Sequence, residues 1–152
     1  GARDEKAGRI GLDRNGVITL ASILINESNK EDEYRRMAGV YINRLNGGIP
    51  LQADPTVKFA LGDFERKRIL KKDTQIDSPY NTYIHAGLPP GPIALPTVSA
   101  IDAVLDYEHH DYLYFCARED NSGYHNFART LEQHNKNARS YQKWLNRRNI
   151  LH

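Results

Sequence analysis

The sequence predicts a mostly helical α+β fold with one small β-hairpin and an ordered proline-rich loop. Helical apolar spacing recurs in separate stretches on either side of the chain's middle. A single aromatic, alternating run, Asp111 to Ala117, is followed by the turn residues Asn121-Ser122-Gly123, which suits one hairpin. Five of the seven prolines, Pro79, Pro89, Pro90, Pro92 and Pro96, fall between positions 77 and 96. That stretch also carries Tyr80, Tyr83, Leu88, Ile93 and Leu95, so it reads as a fixed irregular loop and not as a flexible linker.

The first helix is expected from about Arg14 to Asn26, with Asp13 at its N-cap. Leu20, Ile23, Leu24 and Glu27 share one of its faces. A second helix, about Glu31 to Leu45, places Met37, Val40, Tyr41 and Arg44 on one face, and Gly47-Gly48 with Pro50 end it. Asp54-Pro55-Thr56 reads as a short helix start, with Asp54 capping and Pro55 at the first helical position, ending by Gly62. Positions 63 to 76 are charged and carry no readable period. A helix over Val98 to Leu105, a returning strand over Tyr124 to Phe127, and a last helix to about Arg147 complete the reading. Thr130 and Gln133 form a capping-box pattern for that last helix.

The 152 residues fit a single domain spanning 1–152, with 39% hydrophobic and 26% charged side chains. A net charge of +2, from 21 basic and 19 acidic groups, is too even to imply a nucleic acid partner, but it is compatible with a glycan. The one cysteine, Cys116, excludes an internal disulfide and sits in an apolar run that suggests a packed core thiol. His109, His110 and His125 match no metal-ligand spacing, and no cofactor fingerprint is present. No run approaches the ~20 apolar residues of a membrane span. The charged opening Arg3-Asp4-Glu5-Lys6 suggests a domain excised from a longer protein.

Three clusters offer chemistry. Glu27 shares its face with leucine and isoleucine, and desolvation raises a carboxyl pKa toward what a general acid needs at neutral pH. By itself a glutamate in the last turn of a helix is more often solvated; Ser28 beside it is placed to orient the carboxyl group. Gln52, Asp54 and Thr56 are hydrogen-bonding groups of the kind that read sugar hydroxyls and N-acetyl groups, although a plain helix cap is the more ordinary reading of Asp54. Tyr80, Asn81, Thr82 and Tyr83 put two aromatics around two polar side chains. That pattern suits a groove in which rings stack on pyranose faces, and it also suits a structural turn.

In order along the chain, these clusters resemble the MltG/YceG-like endolytic murein transglycosylase family. The likeness runs over about residues 8 to 145. Leu20-Ala21-Ser22-Ile23 leads to Glu27, then come Ala38-Gly39-Val40-Tyr41-Ile42-Asn43-Arg44-Leu45 and Pro50-Leu51-Gln52-Ala53-Asp54-Pro55-Thr56-Val57. Ser78 to Tyr83, Gly87-Leu88-Pro89-Pro90-Gly91-Pro92-Ile93 and Tyr112 to Phe115 follow, and His125, Phe127, Thr130, His134 and Asn135 close the pattern.

The resemblance implies a catalytic domain of about lysozyme size that cuts peptidoglycan glycan strands between N-acetylmuramic acid and N-acetylglucosamine, without cofactor or metal. Glu27 would serve as general acid and then base, leaving 1,6-anhydro ends, with Ser28, Gln52, Asp54, Thr56, Tyr80, Asn81, Thr82 and Tyr83 binding the strand. It further implies an extracytoplasmic setting, at the periplasmic face of the inner membrane, and a membrane anchor in a segment outside this chain. Cell-wall synthesis enzymes are the partners it points to. Members of the family often carry an acid two positions before this glutamate; here Ile25 stands there. Two rivals stay open: a muramidase using Glu27 with Asp54 and water, and a catalytically silent peptidoglycan-binding module.

Overall fold

The computed structural model describes residues 1–65 and 68–151. Residues 66 and 67, inside the charged 63–76 stretch, lie outside them.

The fold is the expected mostly helical α+β arrangement. Helix α1 spans Ala2–Ile10 and α2 spans Arg14–Glu27. Asp13 caps α2 as expected, its carboxylate accepting from the Gly16 N–H at 2.7 Å. Helix α2 is the centre of the core: Leu20, Ala21, Ile23 and Leu24 are fully buried. Helix α3 spans Tyr34–Asn46 and α5 spans Val98–Leu105; α5 packs across both α2 and α3. Met37, Val40 and Tyr41 form the buried face of α3, as their spacing required. The three acidic residues Glu31–Glu33, expected inside that helix, form a separate 3₁₀ turn before it.

Helix α1 was not readable from periodicity, because only Ala7 of its residues is buried. It is fastened by side-chain pairs instead. Arg3 meets Asp102 at 3.1 Å, Lys6 meets Asp106 at 2.8 Å and Arg14 meets Asp4 at 2.7 Å, all exposed and individually weak.

Helix α4 spans Asp54–Leu61 with Ala53 at its N-cap, so Asp54 lies one position inside the helix and does not cap it. The hairpin is shorter than its aromatic run: β1 is Tyr114–Ala117 and β2 is His125–Ala128, paired antiparallel with Tyr114 opposite Ala128. Residues 111–113 stay outside the ladder because Asn43 of α3 holds the loop before it, donating to the carbonyls of His110 and Tyr112 at 2.8 and 2.9 Å. Helix α6, Leu131–Leu151, packs on the hairpin. Thr130 accepts from the Gln133 N–H at 3.2 Å, but the Gln133 amide turns to Asn137, so only half of the expected capping box forms. The proline-rich stretch is an ordered loop tied to α2: the Ile93 N–H donates to Ser22 Oγ at 3.0 Å, and Ile93 is 5% exposed.

Candidate active site

Glu27 is the last residue of α2, and it lies in a groove of about 510 Å³. Helix α3 contributes Tyr41 and Arg44, the segment before and into α4 contributes Gln52 and Asp54, and β1 with α6 supplies the facing wall. The carboxyl group is part-buried, and burial pushes its pKa up to about 7. The nearby negative charge of Asp54 adds to the rise, while a hydrogen bond from Tyr41 and the charge of Lys58 oppose it. The C-terminal end of a helix also disfavours a negative charge. The bond is short: Tyr41 Oη donates to Glu27 Oε1 at 2.5 Å. Burial and the adjacent carboxylate hold the Tyr41 hydroxyl well above its ordinary range, so it remains a donor.

Replacing Tyr41 by Phe removes a bond that favours the carboxylate. The Glu27 pKa in Tyr41→Phe is therefore expected to rise, as followed by the carboxyl carbon shift in an NMR titration. An unmoved midpoint would show that Tyr41 does not tune the acid.

Asp54 is exposed to the groove and its carboxylate accepts from Tyr83 Oη at 2.5 Å; burial, and then this bond, raise the pKa of the Tyr83 hydroxyl. Gln52 is also exposed, and its backbone sits at φ 51°, in the left-handed region that a glutamine adopts at a cost of about 1 kcal/mol. Its N–H is held by the Thr82 carbonyl at 3.1 Å.

Of the nine residues selected from the sequence, Glu27, Gln52, Asp54 and Tyr83 come together in this groove. The other five do not line it, and the side chains of Ser28, Thr56, Asn81 and Thr82 bond within the protein. Ser28 Oγ accepts from the Lys30 N–H and its carbonyl accepts from Tyr34 Oη, closing the turn after α2. Thr56 and Thr82 are buried, share a 2.9 Å hydrogen bond, and tie α4 to the Tyr83 segment. Asn81, fully buried, donates to the carbonyls of Thr74 and Ile76 and accepts from the Tyr83 N–H. Tyr80 packs against Phe59 at 4.7 Å. Thr56, Asn81 and Thr82 position Gln52, Asp54 and Tyr83 from behind.

The facing wall was missed as a site. Tyr114 stacks on His134 at 5.0 Å, Phe115 meets Tyr41 edge-on at 5.7 Å, and His125 Nδ1 lies 2.9 Å from Glu33 Oε1. His125 and Glu33 are 92 residues apart, so no local pattern could pair them. Cys116 also lines this wall, half-buried where a core position was expected. Burial pushes its thiol up, which disfavours the reactive thiolate. Among the described residues, no group of three or more His, Cys, Asp or Glu is arranged to hold a metal. None of the described helices is long and apolar enough to cross a membrane.

A carboxyl group raised to about 7 in an aromatic-walled groove is of the class that can give up and take back a proton near neutral pH. The chain belongs to the YceG-like family, whose model matches residues 2–140. It is 43% identical over 125 residues to a Bacillus subtilis protein named endolytic murein transglycosylase, covering 82% of this chain and 34% of that protein. A Streptococcus pneumoniae protein of the same name is 36% identical over 128 residues, covering 82% of this chain and 23% of its own length. The chain thus spans about a third or less of these relatives. A crystal structure of a yceG-like protein from Listeria monocytogenes superposes with a TM-score of 0.80 at 39% identity, over 87% of this chain and 42% of that one.

Proposed function

We propose that this chain is an endolytic lytic transglycosylase that cleaves the β-1,4 bond between N-acetylmuramic acid and N-acetylglucosamine in peptidoglycan strands. The observation that carries the reading is the Glu27 carboxyl, raised to about 7 and hydrogen-bonded by Tyr41 within the groove. It holds a proton at neutral pH and can give it up. In the first step Glu27 donates that proton to the bridging oxygen as the muramyl C1–O bond breaks and the N-acetylglucosamine O4 leaves as a hydroxyl. In the second, the resulting carboxylate accepts the proton of the muramyl C6 hydroxyl as O6 bonds to C1. The product is a 1,6-anhydro ring, Glu27 ends protonated, and no water is consumed. One carboxyl group serves both steps, so the isoleucine at position 25 leaves the chemistry complete.

Tyr83, Tyr114 and Phe115 offer faces for pyranose rings, and Gln52 offers an amide for hydroxyl or N-acetyl groups. The names of the relatives support the substrate class and, with it, an extracytoplasmic place of action. Cell-wall synthesis enzymes are the partners such an activity would meet.

Asp54 lines the same groove, which keeps a hydrolytic reading alive in which water replaces the C6 hydroxyl. Mass spectrometry of purified peptidoglycan digested by the chain separates the two. Anhydro-muramyl ends are the expected result. Reducing ends, heavier by one water, would overturn the transglycosylase in favour of a muramidase, and strand binding with no new ends would leave a binding module.

A further inference from the structure

Among the described residues, no carboxylate pairs with the charge of Arg44. This arginine is 5% exposed, on the buried face of α3, yet it also lines the groove that holds Glu27. Its Nε donates to the Leu113 carbonyl at 2.7 Å and its Nη1 to the Pro50 carbonyl at 2.6 Å. Its guanidinium carbon stands 4.9 Å from the centre of the Tyr114 ring. No hydrogen bond from Nη2 and no carboxylate within salt-bridge distance is found for it among the described residues. Burial pulls its pKa down, the sign of a cation short of compensation, although a guanidinium stays charged. Buried charges are ordinarily paired, because an unpaired one has lost its water without gaining a counter-charge. Two carbonyls and an aromatic face hold the fork in one orientation and leave one nitrogen over.

We propose that Arg44 forms a carboxylate-binding subsite of this groove, which selects strand units bearing an anionic group beside the sugar. A guanidinium held by its other nitrogens is preorganised for a carboxylate oxygen and gains little from a neutral amide. In peptidoglycan the carboxylate has two sources: the peptide stem, or the lactyl group of a muramyl unit whose stem has been removed. The inference rests on the glycan reading above, and its test is arranged so that the two can fail separately.

The test is an NMR titration of the chain, carrying Glu27→Gln to prevent turnover, with four ligands. These are an N-acetylglucosaminyl-N-acetylmuramyl dipeptide, its carboxamide, the stem-free disaccharide acid, and that acid's amide. At least one acid is expected to bind about tenfold tighter than its amide, and which pair differs identifies the source. Adding Arg44→Gln should bring that ratio to about one. Because Arg44 also secures two backbone carbonyls, Arg44→Lys is the companion variant, checked by its melting temperature. The ammonium keeps the charge but lacks the fork, so its ratio should fall clearly below that of Arg44.

Equal binding of acid and amide before Arg44 is changed would overturn the subsite and leave the glycan reading standing. So would a preference that survives unchanged in both Arg44 variants. Binding of none of the four would overturn both.

Discussion

Replacing Glu27 by Gln is expected to lower strand cleavage by about 10³-fold while leaving the fold intact. Gln keeps the shape and still accepts from Tyr41, but it cannot hold or deliver a proton, and general acid–base steps contribute about 10² to 10⁴. Initial rates of release of soluble muropeptides check the effect. Cleavage within tenfold of the parent would remove Glu27 from the chemistry. The parent's own rate should fall as pH rises through about 7, because the first step needs the protonated form. Stability should move in the same direction. A carboxyl raised from 4.5 to about 7 binds its proton more tightly in the folded than in the unfolded chain, so the parent loses stability as pH climbs across that window. Glu27→Gln escapes this loss. Urea denaturation should find the variant more stable than the parent by roughly 3 kcal/mol at pH 8, with the difference almost gone at pH 4. A difference independent of pH would mean that the carboxyl is not perturbed in the fold.

The helical frame was legible wherever burial imposes a period. The α2 and α3 faces and the Asp13 cap are where the residue spacing places them. Helix α1 was not, since ion pairs and one alanine leave no apolar stripe to read. The same physics divides the site. Glu27 shares a face with leucine and isoleucine, but that pattern alone is more often a solvated glutamate, and the ordered family motifs are what point to it. The polar block from Ser78 to Tyr83 suited a structural turn as well as a sugar groove, and only Tyr83 reaches the groove. Asn81, Thr82 and Thr56 are satisfied by the protein's own backbone and by one another. Composition cannot tell a polar group that awaits a ligand from one already bonded. Conversely, Tyr41 and Arg44 read as core positions by their period, and the core is where they sit, with their polar tips put to use at its edge.

The largest expected loss of stability lies away from the groove, at Gly39. This glycine is in the middle of α3, where alanine would ordinarily be preferred by about 1 kcal/mol. Here a Cβ would stand 2.4 Å from the Glu108 carbonyl oxygen and 2.6 Å from His110 Nε2. Neither neighbour can yield cheaply. The Glu108 N–H donates to the Arg35 carbonyl at 3.0 Å, and the His110 ring is clamped from both sides. Its Nδ1 accepts from the Tyr112 N–H at 3.0 Å, which makes Nε2 the protonated nitrogen that donates to the Arg36 carbonyl at 2.8 Å. A methyl group would have to push the 108–112 loop off α3 and break several of these bonds together. Gly39→Ala is therefore expected to cost about 3 kcal/mol or more, and to lower the melting temperature by roughly 10 °C. Gly8→Ala is the matched control: it is also helical, with open space around its Cβ, and should be neutral or slightly stabilising. Equal melting temperatures for the two variants would contradict this close contact. The loop that would move leads directly into β1, which carries Tyr114 and Phe115 on the groove wall, so cleavage by Gly39→Ala should fall even at temperatures where it remains folded.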